Sequence, residues 1–194
     1  MNELSLFTGA GGGILGTHGL LGWKCKGYVE FNTYYQQVIQ QRIDDGILDN
    51  APIFGDVRTF VSDGYARSYR GMVDVVSGGF PCQPFSVAGQ RAGEDDSRNM
   101  WPATLDVIRA VRPRFAFLEN VPGLLSIDGG RYFGRILGDL AESGFDARWR
   151  VLSAAEMGAP HKRDRLWIVA YPMHSRPSRH ERGLCRSSAI EGSA

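Results

Sequence analysis

Apolar positions fall into short runs separated by polar, glycine-bearing stretches, and the runs alternate between a strand period and a helix period. Leu4-Ser5-Leu6-Phe7 is a compact strand candidate, and Thr8-Gly9-Ala10-Gly11-Gly12-Gly13 separates it from a helix carrying Ile14, Leu15, Leu20 and Leu21. A short strand at Gly27-Tyr28-Val29 follows, then a helix from Thr33 to Ile43 with Tyr34, Val38 and Ile39, then a short strand at Pro52-Ile53-Phe54. Val73 to Val76 reads as a fourth strand, and Asn99 to Val111 as a helix through Trp101, Leu105 and Ile108. Phe115 to Leu118 is a fifth strand, apolar throughout as a strand buried on both faces should be. Tyr132 to Ser143 predicts a helix with Phe133, Ile136, Leu137 and Leu140 inward. The period then changes. Phe145, Ala147, Trp149 and Val151 alternate with Asp146, Arg148 and Arg150, which marks a half-exposed strand, and Leu166 to Tyr171 can pair with it as an antiparallel edge. Strands alternating with helices predict an α/β fold: a mostly parallel sheet with helices on both faces and an antiparallel edge.

Bulk composition narrows this picture only a little. A chain of 194 residues with 43% hydrophobic and 22% charged residues suits one ordinary globular domain. The net charge of +1 gives no global basic field, so nucleic-acid binding would have to rest on local clusters. Cys25, Cys82 and Cys185 have neither paired nor metal-like spacing, which argues against a disulfide scaffold or a metal site and for a reducing compartment. No basic leader with an apolar core and no membrane-length apolar run is present, so the expectation is a cytoplasmic protein without membrane association.

Polar groups recur where strands end. The first strand ends in the glycine turn, the second in Glu30-Phe31, the third in Gly55-Asp56-Val57 and the fifth in Glu119-Asn120-Val121. Open α/β sheets bind ligands at the carboxyl ends of their strands, so this repeated placement points to a site. Each residue also has a plainer reading: Glu30 as a solvent-facing acid, Phe31 as core, Asp56 as an Asx turn or helix cap, Glu119 as a capping acid. The fourth strand delivers Gly78-Gly79-Phe80-Pro81-Cys82-Gln83-Pro84-Phe85-Ser86. Prolines on both sides of Cys82 fix the backbone, and the glycines let it turn tightly or be approached closely, so the stretch reads as a rigid elbow presenting a thiol. The alternative is a small apolar core cysteine. Residues 88–99 lack a hydrophobic period and read as an exposed loop. Arg163 and Arg165 alternate, so they share one side of an extended chain, either as a solvated rim or as a pair facing an anionic or polar-ring ligand. From Pro172 to Ala194 there is no apolar period, and Arg176, Arg179, Arg182 and Arg186 recur, as in a disordered tail.

Taken in order, Leu6-Phe7-Thr8-Gly9-Ala10-Gly11-Gly12, Glu30, Gly55-Asp56-Val57, Gly79 to Ser86, Glu119-Asn120-Val121 and Arg163-Asp164-Arg165 resemble the DNA (cytosine-5) methyltransferase family over about residues 4 to 171. The resemblance implies a Rossmann-like S-adenosylmethionine-dependent methyltransferase fold and transfer of a methyl group to C5 of a cytosine flipped out of double-stranded DNA. It implies that Cys82 adds to C6 as nucleophile, that Glu119 contacts N3 and the exocyclic amine, and that Arg163 and Arg165 hold the base. On the cofactor side it implies that the turn with Phe7, Gly9 and Gly11 lies against S-adenosylmethionine. Glu30 would take its ribose hydroxyls, Phe31 and Val57 would pack its adenine, and Asp56 would bind the adenine amino group. The loop from Ala88 to Asn99, with Gln90, Arg91 and Arg98, would be a lid over DNA. Ser5 and His161 stand where the family commonly has aspartate and glutamine. Nothing after Tyr171 resembles the family's target-recognition region or its C-terminal glycine-asparagine signature. The expectation is therefore a catalytic, cofactor-binding domain over residues 1–171, cut short, and a disordered tail over 172–194. Target recognition would then come from a second chain, with a cognate restriction endonuclease as a further partner and a bacterial, archaeal or phage source. The alternatives are an inactive fragment that only binds cofactor or DNA, and an RNA cytosine-5 methyltransferase.

Overall fold

The computed structural model describes residues 1–81 and 99–173. In chain order the elements are β1 (Asn2–Leu6), α1 (Gly12–Leu21), β2 (Lys24–Val29), α2 (Thr33–Asp44), β3 (Ile53–Phe54), α3 (Val57–Ser62), α4 (Tyr65–Ser68), β4 (Val75–Gly79), α5 (Trp101–Val111), β5 (Phe115–Asn120), α6 (Arg131–Glu142), β6 (Phe145–Ser153) and β7 (Asp164–Pro172). The strands form one seven-stranded sheet in the order β3-β2-β1-β4-β5-β7-β6. Pairing is parallel from β3 to β5, and β7 runs antiparallel to both β5 and β6. The carboxyl ends of β1, β2, β4 and β5 and the amino end of β7 thus lie along one edge, with Asn120 opposite Leu166.

Alternation along each strand sorts residues onto two faces. Leu4, Leu6, Val76, Ala116, Leu118, Leu166, Ile168 and Ala170 are fully buried in the main core with Trp101, Leu105 and Ile108 of α5 and Ile136 and Leu140 of α6. On the other face, a smaller core of Ile14, Cys25, Tyr28, Ile39 and Leu48 lies between the first strands and α1 and α2.

Three sequence expectations need correction. Phe115 and Phe117 of β5 are only half-buried, so this strand is not enclosed on both faces. Phe117 instead stacks on Trp167 of β7, with ring centroids 5.0 Å apart, and takes the edge of Trp23 at 6.2 Å. The fourth strand lies further along than expected and includes Gly78 and Gly79, so these glycines are sheet residues rather than a turn. Ordered sheet also passes the expected boundary at Tyr171: β7 includes Pro172, and the Met173 amide donates to the Gly144 carbonyl at 3.1 Å. The short helices α3 and α4 had no sequence signal, because neither is long enough to repeat a helical period. Cys82, the loop residues Gln90, Arg91 and Arg98, and the segment after Met173 lie outside the described residues. Among the described residues no helix is long and apolar enough to cross a membrane.

Candidate active site

The edge at the strand ends carries two adjoining constellations. The first is the turn from β1 to α1. Phe7 has a φ of 51° and Gly9 and Gly11 have φ of 56° and 81°. Positive φ costs glycine little, but a bulky residue held there stores about 1–3 kcal/mol of strain, which persists only where the surroundings impose it. The Thr8 hydroxyl closes the turn onto the Ser5 carbonyl and hydroxyl at 3.2 and 3.0 Å. Glu30, at the end of β2 and only 8% exposed, completes the turn from the side. Its carboxylate accepts the Gly9 amide at 2.6 Å and the Asn32 amide at 2.8 Å. A carboxylate offers about four acceptor directions, so these two bonds fix its orientation and leave capacity for a ligand hydroxyl. A Cβ at Gly9, Gly12 or Gly13 would meet nothing within 4 Å, so open space adjoins the turn. Phe31 is 73% exposed beside it, an aromatic face free to stack.

The neighbouring strand end differs from the expected family roles in its local bonding. Asp56 caps α3, accepting the Arg58 amide at 2.8 Å, and its carboxylate also takes the Arg58 guanidinium, at 2.7 Å to Nη2. The guanidinium hydrogen bond to Asp56 holds its carboxyl below the usual range. Val57, 4% exposed, begins α3 and packs in the main core.

The second constellation spans β4, β5 and β7. A Cβ at Gly78 would lie 2.8 Å from the Leu6 carbonyl oxygen, and one at Gly79 would lie 2.7 Å from Glu119 Oε2. Only glycine lets β1 and β5 close on β4 here, and the Glu119 carboxyl rests over the bare Gly79 backbone. From the far side of β5, Arg165 reaches across and pairs Nε with Glu119 Oε1 at 2.6 Å. The Arg165 guanidinium also donates from Nη1 to the Asp164 carbonyl at 2.8 Å, which fixes its plane. Arg163 is exposed, one residue before β7 begins. The chain toward the cysteine is pinned twice. Phe80 is buried against Trp101, with centroids 5.3 Å apart, and the Asn120 side-chain amide donates to the Phe80 carbonyl at 2.9 Å. Asn120, 4% exposed, accepts the Val121 amide at 2.9 Å through its other end.

The structure therefore brings Phe7, Gly9, Gly11, Glu30 and Phe31 to one end of the edge, and Glu119 and Arg165 to its middle beside the strand that leads to Cys82. Asn120 as a clasp and the glycine pair as a seat for Glu119 have no sequence reading of their own; two glycines at the end of an apolar strand were the available signal. Asn120→Ala would leave the Phe80 carbonyl buried without this donor. It is expected to lower the unfolding free energy by about 1–3 kcal/mol in urea titrations. A variant as stable as the parent would show that the carbonyl finds another donor.

The strand order, with its single antiparallel insertion, and a ligand edge built on a glycine turn are those of the Rossmann-like S-adenosylmethionine-dependent methyltransferases. Solved structures agree on the fold: the S. pombe Dnmt2 methyltransferase superposes with a TM-score of 0.68 at 18% identity, covering 100% of this chain and 58% of that one. A Spodoptera frugiperda DNMT2 variant also gives 0.68, at 20% identity, covering 88% and 50%. Residues 1–184 match the family described as C-5 cytosine-specific DNA methylase. Over 169 residues the chain is 33% identical to the Type II methyltransferase M.NgoMIV of Neisseria gonorrhoeae, covering 87% of this chain and 51% of that protein. It is 35% identical over 169 residues to the Type II methyltransferase M.Eco47II of Escherichia coli, covering 86% and 38%. The chain belongs to the C-5 cytosine-specific DNA methylase family. It spans about half the length, or less, of these curated relatives.

Proposed function

We propose that this chain is the catalytic, cofactor-binding domain of a DNA (cytosine-5) methyltransferase. The observation that carries the reading is Glu119: its carboxyl is seated on Gly79, ion-paired to Arg165, and set beside the strand that runs within three residues to Cys82.

Cytosine C5 is a weak nucleophile in an intact ring. A Cys82 thiolate forming a bond to C6 moves an electron pair toward C5 and N3, and C5 becomes enamine-like. Glu119 meets N3 and the exocyclic amine, where that charge gathers, and shares a proton with the ring. Arg165 orients Glu119, and Arg163 and Arg165 supply positive charge at the base. C5 would then take the methyl carbon as its bond to the donor's sulfonium breaks and a neutral thioether leaves, the C5 proton would leave to a base, and the returning electron pair would expel the thiolate. S-adenosylmethionine, when bound, supplies the methyl group. Of this chain's residues, Phe7, Gly9 and Gly11 would line its methionine and ribose end, and Glu30 would accept its ribose hydroxyls. Phe31 would stack on its adenine beside Val57, and Asp56, once shared with Arg58, would accept its amino group. The bare turn and the oriented Glu30 carboxylate fit such a ligand.

The substrate in this reading is a cytosine flipped from double-stranded DNA. A second chain supplying target recognition is a further partner in this reading. The Type II naming of those relatives supports a cognate restriction endonuclease, and their bacterial sources support a cytoplasmic setting. In this reading β7 belongs to the catalytic, cofactor-binding domain.

The test is incubation with labelled S-adenosylmethionine and cytosine-containing DNA. It is run alone and with the portion of the N. gonorrhoeae relative outside the matched residues, with transfer RNA in parallel. Label on DNA supports the reading. Label on RNA alone moves the substrate to RNA, and no label in any arm removes the activity.

A further inference from the structure

Glu3 takes no part in the proposed chemistry, yet it is a carboxyl 1% exposed in the middle of the sheet. It lies on β1 between three other elements. Its Oε1 contacts the Ser77 hydroxyl of β4, its Oε2 lies 2.7 Å from the Thr17 hydroxyl of α1, and Cys25 of β2 is its register partner. Among the described residues its hydrogen-bond partners are two hydroxyls, neither of them a cation. The lysine of the adjoining strand is engaged elsewhere: Lys24 Nζ lies 3.4 Å from Asp49, whose carboxylate also has His18 Nδ1 at 3.2 Å.

Burial decides which form fits, because the two hydroxyls can be satisfied in either protonation state. Thr17 has one hydroxyl proton and faces two acceptors, Glu3 Oε2 and the Ile14 carbonyl at 3.2 Å. If Oε2 carries a proton, it donates to Thr17, Thr17 donates to Ile14, and Ser77 donates to Oε1, so every polar hydrogen in the chain has an acceptor. An ionised carboxylate would be a buried charge without a countercharge, which is costly. We infer that Glu3 is a neutral carboxylic acid at neutral pH and acts as a positioning residue, tying α1, which follows the cofactor turn, to β4, which leads to Cys82.

Burial is the main cause that pushes the Glu3 carboxyl up; the hydrogen bonds of Ser77 and Thr17 pull it down by less, and the negative charge of Asp49 adds a smaller push upward. The other titratable groups facing it are silent at neutral pH. Burial pushes the Cys25 thiol up to about 12 and also raises Tyr28. Because the folded value lies above the unfolded one, the contribution to stability is complete below the unfolded value and falls as pH rises through the folded one.

The experiment compares the 194-residue chain with Glu3→Gln and Glu3→Ala. The difference infrared spectrum of parent against Glu3→Gln at neutral pH should show a protonated-carboxyl C=O band belonging to the parent. Thermal melts should show the parent losing stability relative to Glu3→Gln as pH rises from the ordinary carboxyl range through neutrality. Glutamine keeps a donor and an acceptor, so Glu3→Gln should bind S-adenosylmethionine like the parent, whereas Glu3→Ala should bind about tenfold more weakly. That last arm rests on the cofactor reading above. The first two do not, so loss of binding in all three proteins would count against that reading while leaving Glu3 tested by spectrum and melt. A carboxylate band in place of the protonated one, or identical pH dependence in parent and Glu3→Gln, overturns the inference.

Discussion

Cys82→Ser is expected to reduce methyl transfer to background and to abolish covalent trapping on DNA carrying 5-fluorocytosine. The two losses share one cause. A thiolate is a strong nucleophile and is populated to a few per cent even unperturbed at neutral pH, whereas a serine hydroxyl stays protonated unless a base activates it. The C6 adduct then never forms, C5 gains no nucleophilic character, and the cofactor's methyl group has no acceptor. Fluorine at C5 blocks the final proton loss, so the parent protein should remain bonded to the base through sulfur. A band resistant to denaturing electrophoresis reports that bond. The trap is the more telling measurement, because it needs only base binding, addition and methylation, without turnover. Retained trapping in Cys82→Ser would show that another residue is the nucleophile.

Glu119→Gln is the second large effect, expected to slow single-turnover transfer by about 10²–10⁴-fold, the range of losing a positioned acid–base group. Glutamine has nearly the same shape, so it can keep the seat over Gly79. It cannot share a proton with the ring, and it gives up the ion pair to Arg165. The interaction lost is one made as charge develops in the base, so the rate at saturating DNA should fall far more than the apparent affinity for DNA. A single-turnover rate close to that of the parent would show that Glu119 is a structural partner of Arg165 and no more.

Much of this architecture is legible in the residues. Helix periods through Trp101, Leu105 and Ile108, and through Phe133, Ile136 and Leu140, foretell the two helices that bury the main core. The alternation from Phe145 to Val151 foretells the antiparallel pair β6–β7. What the sequence hides is set by partners distant along the chain. Nothing near Glu119 says that Arg165 will meet it, and nothing near Asn120 says that its amide will hold the Phe80 carbonyl. Gly78 and Gly79 read as a turn because glycine usually marks one. Their requirement comes instead from Leu6 on one neighbouring strand and Glu119 on the other. Phe115 and Phe117 read as enclosed because apolar runs usually are, but enclosure depends on which helices lie over them. Nothing around Glu3 in the sequence marks it; only its position under α1 and beside β4 makes it a buried acid.

The slot that β7 fills also dictates the order in which the protein can assemble. β6 is made before β7 but reaches the sheet only through it, since β7 lies between β5 and β6. A chain emerging from the ribosome can pair β1, β2, β4 and β5 early, but β6 has no place until the last strand arrives. Glu119 then waits beside an unfilled edge until Arg165 is delivered. Closure of the β6–β7 hairpin onto β5 is therefore expected to be the late kinetic step, and base-binding competence should appear with that step rather than with the bulk of the secondary structure.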